Sequence, residues 1–343
     1  AFPKTFANPD IKWEETAMTN VGIDFMALRN RLTLTADWYV KNTKDILLNV
    51  PIPISTGGAN DPIRNAGKIR NQGFEFNLGW NESLNKDLSY GVSFLGTYNK
   101  NEVVEMGAES QVITGGTIHG GTYTSRTLAG YPIGGFWLIP TDGYFNSTEE
   151  VQAHQKDGVL IQPSAEPGDI RFKDTNNDGT INDEDRVYCG SPFPKFTYSI
   201  NGNITYKNVD FSIGFQGVTG NKIYNATKLE LTDVTRGTNY LASTLDYWTP
   251  ENPSNTYARL EAQGPDGATG AQRLHNRNFI RLDNISLAYT LPQKLTKKWQ
   301  IDRVKLYATV RNVATWAADW EYADQESERL ALMNTALEQA SAA

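Results

Sequence analysis

The chain has one cysteine, Cys189, among 343 residues, which excludes an internal disulfide framework and any Cys-x-x-Cys redox or zinc motif. It has no basic excess. The 32 Lys and Arg stand against 39 Asp and Glu, a formal net charge of -7, so the footprint of a nucleic-acid binder is missing and nucleic acid is not an expected partner. No stretch reaches the ~18–20 apolar residues of a spanning helix, and residues 1–20 lack the basic and apolar regions of a signal peptide. Apolar residues make up 39% of the chain, whereas aromatics are plentiful, with 16 Tyr, 14 Phe and 8 Trp. That balance points away from a leucine-rich helical core. It leaves open a membrane β-barrel, whose short alternating segments keep mean hydropathy low.

What is present is alternation. From Phe196 to Tyr206 apolar or aromatic residues alternate with small polar ones, and period two at that length means an extended strand with one apolar and one polar face. After a Lys207-Asn208 turn, Val209, Phe211, Ile213 and Phe215 continue the pattern, completing an antiparallel hairpin. Further strands are predicted near 17–28, at 32–40, 74–80 and 88–101, and at 279–290 and 302–313, with a bulge where the parity slips around Asn284. About eight strands result, each near the ~9–11 residues that cross a bilayer at a tilt. Short turns near 29–30, 82–87, 207–208 and 291–300 alternate with long segments at 49–67, 102–193 and 218–278, the asymmetry of a barrel with tight turns on one side and long loops on the other. The polar faces carry Thr, Ser, Asn and Gly. The apolar faces carry Trp38, Trp80, Tyr90, Tyr98, Tyr198, Tyr206 and Tyr289 toward their ends, like interfacial girdles. The fold expected is all-β, an antiparallel transmembrane β-barrel segment.

The longest loop contains Asp174-Thr175-Asn176-Asn177-Asp178-Gly179-Thr180-Ile181-Asn182-Asp183-Glu184-Asp185, a match to an acidic calcium loop. Calcium takes six to eight oxygen ligands, which such a loop supplies from alternate side chains while a glycine makes the sharp turn. Asp174, Asn176, Asp178, the Thr180 carbonyl, Asn182 and Asp185 fill those positions, with Gly179 at the turn. A Ca2+ ion there would order the loop. Asp at position twelve is shorter than the usual Glu, which weakens the expected affinity, and Asn-Asp-Gly tracts also form solvated turns without an ion.

No catalytic constellation is visible. His119, His154 and His275 are far apart in sequence and none lies in a zinc motif. Cys189 has no activating neighbour and is expected to be buried and inert. Gly115 to Gly121 lacks the ending of a phosphate loop and reads as a flexible tip. The pairs Glu149-Glu150 and Asp183-Glu184-Asp185 read as solvated acids. Trp137, Tyr144 and Trp248, exposed loop aromatics on this reading, could stack on ligands or pack the loops on themselves, and packing is the commoner case.

An ordered set of motifs resembles the C-terminal part of the SusC/RagA family of TonB-dependent outer-membrane transporters of Bacteroidetes. It runs from Asn8-Pro9-Asp10-Ile11-Lys12-Trp13-Glu14, Asn20-Val21-Gly22-Ile23-Asp24 and Asn71-Gln72-Gly73-Phe74-Glu75 to Gly130-Tyr131-Pro132-Ile133-Gly134 and Pro167-Gly168-Asp169-Ile170-Arg171. It continues through the acidic loop to Gly190-Ser191-Pro192-Phe193-Pro194-Lys195 and Asn284-Ile285-Ser286-Leu287-Ala288-Tyr289-Thr290-Leu291-Pro292. The resemblance implies a barrel of ~22 strands in the outer membrane that imports oligosaccharides or peptides. It implies a SusD-like surface lipoprotein as partner and energy from the TonB complex, reached through an N-terminal region of a longer polypeptide. Residues 1–316 are then barrel, with long loops at 102–193 and 218–278. The stretch 317–343, rich in helix formers, departs from the family pattern and is expected to be a helical tail. The alternative is a soluble or surface-attached calcium-dependent carbohydrate-binding β protein. Neither reading makes the chain an enzyme.

Overall fold

The computed structural model describes residues 8–49, 62–107, 112–118, 122–232, 239–254, 256–260 and 270–317. The expected tail beyond residue 317, His119 and the end of the Gly115–Gly121 run lie outside these residues. The chain divides into two units, one of residues 1–107, 193–221 and 276–343, the other of residues 108–192 and 222–275.

The first unit is an eight-stranded antiparallel sheet in which strand order follows chain order. Its members are β1 (Glu15–Ala27), β2 (Leu32–Asn49), β3 (Ile63–Ser83), β4 (Leu88–Glu105), β5 (Phe196–Tyr206), β6 (Val209–Thr219), β7 (Phe279–Thr290) and β8 (Lys305–Ala317). Turn chemistry fixes the short links. Leu28, Arg29 and Asn30 all take left-handed backbone between β1 and β2. Asn85 Oδ1 accepts the Asp87 and Leu88 amides at 2.8 and 2.9 Å before β4, a side-chain turn of the kind Asn favours.

Register carries one apolar face across the whole sheet. Phe25, Leu34, Leu78, Phe94, Ile200 and Phe215 are successive partners across β1 to β6, and Phe215 pairs with Leu282 on β7. Ladder register shifts between Leu282 and Asn284, which is the bulge the parity slip predicts. The strands differ from expectation in length. β2, β3 and β4 have 18, 21 and 18 residues rather than about ten, and β3 starts at Ile63 inside the expected 49–67 loop. Residues 63–73 show no apolar alternation, so nothing in the pattern marked them as strand.

In the second unit the described residues of the two long segments are folded. A four-stranded sheet runs in the order 187–190, 135–138, 125–127, 113–114, and the unit also holds helices α1 (Thr148–Ala153) and α2 (Ala226–Thr232). Ile139, Tyr144, Ile170, Phe172 and Ala258 form its core, with Ile181 of the acidic loop packed against them. Burial of each such large side chain contributes about 1.5–3 kcal/mol. Tyr144 and Trp248 are buried, so the expectation that they are exposed is corrected: they pack the unit. Glu149 and Glu150 occupy the first turn of α1, capped by Ser147, where carboxylates complement the helix dipole.

Candidate functional site

The polar face of the sheet is the first candidate surface. Opposite the apolar positions, register sets Asp24 against Thr35, and Tyr39 against Gly73. Asp24 accepts from the Thr35 hydroxyl at 2.8 Å, Tyr39 donates to Asn99 Oδ1 at 3.0 Å, and the Asn101 amide donates to Asn71 Oδ1 at 2.9 Å. The Tyr39 ring lies over Gly73, where an added Cβ would come 2.7 Å from the tyrosine oxygen. Glycine therefore makes room for a phenol on the polar face. Farther along, Arg281 Nε donates to Thr315 Oγ1 at 3.1 Å and Gln216 Nε2 to Asp283 Oδ1 at 3.3 Å. The surface is rich in donors, acceptors and both signs of charge.

The acidic loop is the second candidate. Asp174 Oδ1 accepts the Asp178 amide at 3.1 Å and its Oδ2 the Gly179 amide at 2.7 Å, while Asn176 Oδ1 accepts the Asp178 amide at 3.0 Å. Asp178 Oδ1 accepts from the Thr180 amide at 2.7 Å, and its Oδ2 from the Asn176 side-chain amide at 2.9 Å. The Asn176 side chain and the Thr180 amide hold the Asp178 carboxyl below the usual carboxylate range. Gly179 takes φ +91° at the turn, where a Cβ would be strained. The six expected positions are thus brought into one loop, but in unequal roles. Asn182 and Asp185 form a capping box around the short helical turn Asp183–Asp185. The Asp185 side chain is fully buried, accepting the Thr175 amide at 2.7 Å and the Asn182 amide at 2.8 Å. Among the described residues no group of three or more His, Cys, Asp or Glu side chains is gathered as a metal cluster.

Sequence reasoning took Asp183 for a solvated acid and missed its partners. Asp183 Oδ2 accepts from the Tyr123 hydroxyl and from Arg126 Nη2, each at 2.6 Å, and its Oδ1 from Arg186 Nε at 2.6 Å. The Tyr123 ring stands 5.0 Å from the Arg126 guanidinium and 4.8 Å from that of Arg186, an arrangement that adds cation–π attraction. Burial pushes the Asp183 carboxyl up, and the Tyr123 hydroxyl with the two guanidiniums outweighs it, leaving the group below its ordinary value. Tyr123 and Arg126 lie 60 and 57 positions from Asp183, so no local spacing signals them, and only Arg186 is a sequence neighbour. Nearby, Trp137 packs with Tyr131 and Tyr188 at centroid distances of 4.8 and 6.0 Å. Cys189 is part-buried rather than fully buried, and burial pushes its thiol up, against nucleophilic chemistry. His154 stacks edge-on to Phe145 at 5.5 Å.

An antiparallel wall with one continuous apolar face, one polar face and long connections at one end is the wall of an outer-membrane β-barrel. Among the described residues no helix is long and apolar enough to cross a membrane, and the strands have the length and the outer surface that crossing needs. The chain belongs to the TonB-dependent receptors: the family described as TonB dependent receptor-like, beta-barrel matches residues 1–313. TonB-dependent receptor P3 of Formosa agariphila is 28% identical over 324 residues, covering 94% of this chain and 31% of that protein. TonB-dependent receptor SusC of Bacteroides thetaiotaomicron is 30% identical over 321 residues, covering 90% of this chain and 29% of that protein. The solved RagAB peptide transporter shares the fold, with a TM-score of 0.73, 23% identity, and coverage of 91% of this chain and 33% of that one. The chain spans about a third of the length of the curated relatives it matches. Outer-membrane location follows from the family, and the soluble alternative is set aside.

Proposed function

We propose that this chain supplies part of the barrel wall of a SusC-like importer of large nutrients, oligosaccharides or peptides, and catalyses nothing itself. The observation that carries the reading is the unbroken separation of an apolar and a polar face over eight sequential strands, with Thr, Asn, Asp, Arg and Tyr side chains on the polar side. Such groups suit hydrated cargo, and the long connections at one end of the sheet offer the surface on which a SusD-like lipoprotein would close. Energy would come from the TonB complex acting on the whole transporter. The likeness to the RagAB peptide transporter and the kinship to SusC support this class of cargo and partner. Deleting the gene for the full-length protein should abolish uptake of one oligosaccharide or peptide class, read by mass spectrometry of spent medium. Unchanged depletion of every such solute would overturn the reading.

Calcium in the acidic loop is a second part of the proposal, supported by the turn at Gly179 and by the Asp174 and Asp178 side chains that the loop brings together, Asp174 part-buried and Asp178 exposed. Its role would be to brace the loop, since Asp185 already closes the far end. Calorimetric titration of the full-length protein with Ca2+ should lose its heat in Asp174→Ala plus Asp178→Ala. Equal heats in the two proteins would remove the ion from the account.

A further inference from the structure

On the apolar face, toward the end where the long connections leave, the row Trp38, Phe74, Tyr98 marks an aromatic level across β2, β3 and β4. Arg70, four residues beyond Phe74 on the same face, is paired with Asn42, about 13 Å further along the strand at ~3.3 Å per residue. There the surface changes chemistry. A cavity of about 550 Å3 is lined by Glu15, Asn42, Lys44, Lys68 and Arg70. A second, of about 440 Å3, shares Lys44 and Lys68 with it and adds Arg64, Asp45 and Glu105. Both lie within the sheet unit. Lys44 pairs with Glu15 at 2.7 Å, and among the described residues Arg70 spends only its Nε, on Asn42 Oδ1 at 3.0 Å. Among the described residues neither Lys68 nor Arg64 has a carboxylate partner. In a chain with net charge -7, a lining of three cations against one carboxylate in the larger cavity is a local reversal of sign.

We infer that Lys44, Lys68 and Arg70 form a binding site for the phosphate of a phosphorylated lipid headgroup in the surrounding bilayer. The inference rests on the sheet facing lipid with its apolar side. Three cations come from two adjacent strands into one cavity, of a size typical of small-ligand sites, about 300–1,000 Å3. The free guanidinium edge of Arg70 offers the planar fork that meets a phosphate through two parallel hydrogen bonds. Position argues for a lipid rather than a dissolved anion: the aromatic row lies directly below, on the same face, and would take the acyl chains while the cations take the headgroup.

The test uses the full-length transporter in detergent, delipidated and then offered phosphatidic acid or diacylglycerol of the same chains, with bound lipid read by native mass spectrometry. The wild-type protein should prefer phosphatidic acid at least tenfold. Lys68→Gln plus Arg70→Gln should abolish that preference, whereas Lys86→Gln plus Lys207→Gln, equal in charge change but at the opposite end of the strands, should keep it. No preference in the wild type, or equal loss in the two double variants, would overturn the site. Inorganic phosphate that binds as tightly as the lipid would overturn the assignment to a lipid. If the first double variant loses its heat-modifiable gel mobility, Arg70→Gln alone should weaken retention several-fold, and an unchanged affinity there would overturn the proposal as well.

Discussion

Ile204 in the sheet and Phe145 in the second unit are both large apolar side chains, yet Ile204 is 48% exposed and Phe145 is wholly buried. The contrast extends to their neighbours. Val21, Ile23, Trp38, Phe74, Leu287 and Val310 stand exposed on the sheet, while Leu138, Ile139, Ile170, Phe172, Leu229 and Trp248 are buried in the other unit. Both regions obey the same drive to remove apolar surface from water. In one, side chains of the chain itself provide the cover. In the other the bilayer does, and the sheet holds together through its ladders of backbone hydrogen bonds, every one of which lipid makes obligatory.

Substitutions can break this comparison. Phe145→Ala should destabilise the second unit by about 3–5 kcal/mol, seen as faster hydrogen exchange and proteolysis across 140–172, with the heat-modifiable mobility of the barrel unchanged. Loss of both together would mean the two regions do not differ in what covers them. Ile200→Arg, on the outward face, should cost about 2–4 kcal/mol near the bilayer midplane in urea titrations of the vesicle-inserted protein. Ser199→Arg, next along the strand but on the polar face, should cost far less. Asp183→Asn should cost about 1 kcal/mol, because the carboxylate is a hydrogen-bonded partner of two guanidiniums but is itself 60% exposed and screened.

The same residue gives a pH dependence. Its folded-state carboxyl titrates below the ordinary value, so its contribution is fully present above the unfolded-state value and is lost as pH falls through the lowered one. Proteolytic resistance of the second unit should therefore drop below about pH 4, and Asp183→Asn should flatten that drop. The smallest effect concerns Cys189, whose thiol burial pushes up. Iodoacetamide should modify it more slowly at pH 7 than it modifies an exposed cysteine, and unfolding should erase the difference.

The sheet was legible in sequence where one of its faces meets lipid and the other meets water, because only then does composition alternate. Phe196 to Tyr206 shows it most clearly, and Arg29-Asn30 and Lys207-Asn208 marked turns that are present. From Ile63 to Gly73 the strand continues as Ile-Arg-Asn-Ala-Gly-Lys-Ile-Arg-Asn-Gln-Gly, with polar residues at both parities. Such a stretch reads as loop although its ladder is intact. In the second unit the acidic loop was recognisable because its ligand-type residues are local. The clamp on Asp183 was not, since Tyr123 and Arg126 reach it from 60 and 57 positions away through tertiary packing, and the local Arg186 alone does not signal it. Tyr144 and Trp248 were misread as exposed for the same reason: in a segment without periodicity, composition does not say which side chains turn inward.

The bulge beside Asp283 separates two stretches of β7 whose outward residues have opposite parity, Ile280 and Leu282 before it, Ile285 and Leu287 after it. Asp283 and Asn284 can thus be consecutive and both belong to the polar side. Along a regular stretch of this wall the loss or gain of one residue would turn everything downstream inside out, so a single-residue insertion or deletion is tolerated only where a bulge absorbs it. At position 283 the chain already carries such an insertion, absorbed. A lineage that gained or lost a residue elsewhere in β7 could survive only by moving or abolishing this bulge, which makes it a phase marker from which the strand's history of length change can be read when relatives are aligned.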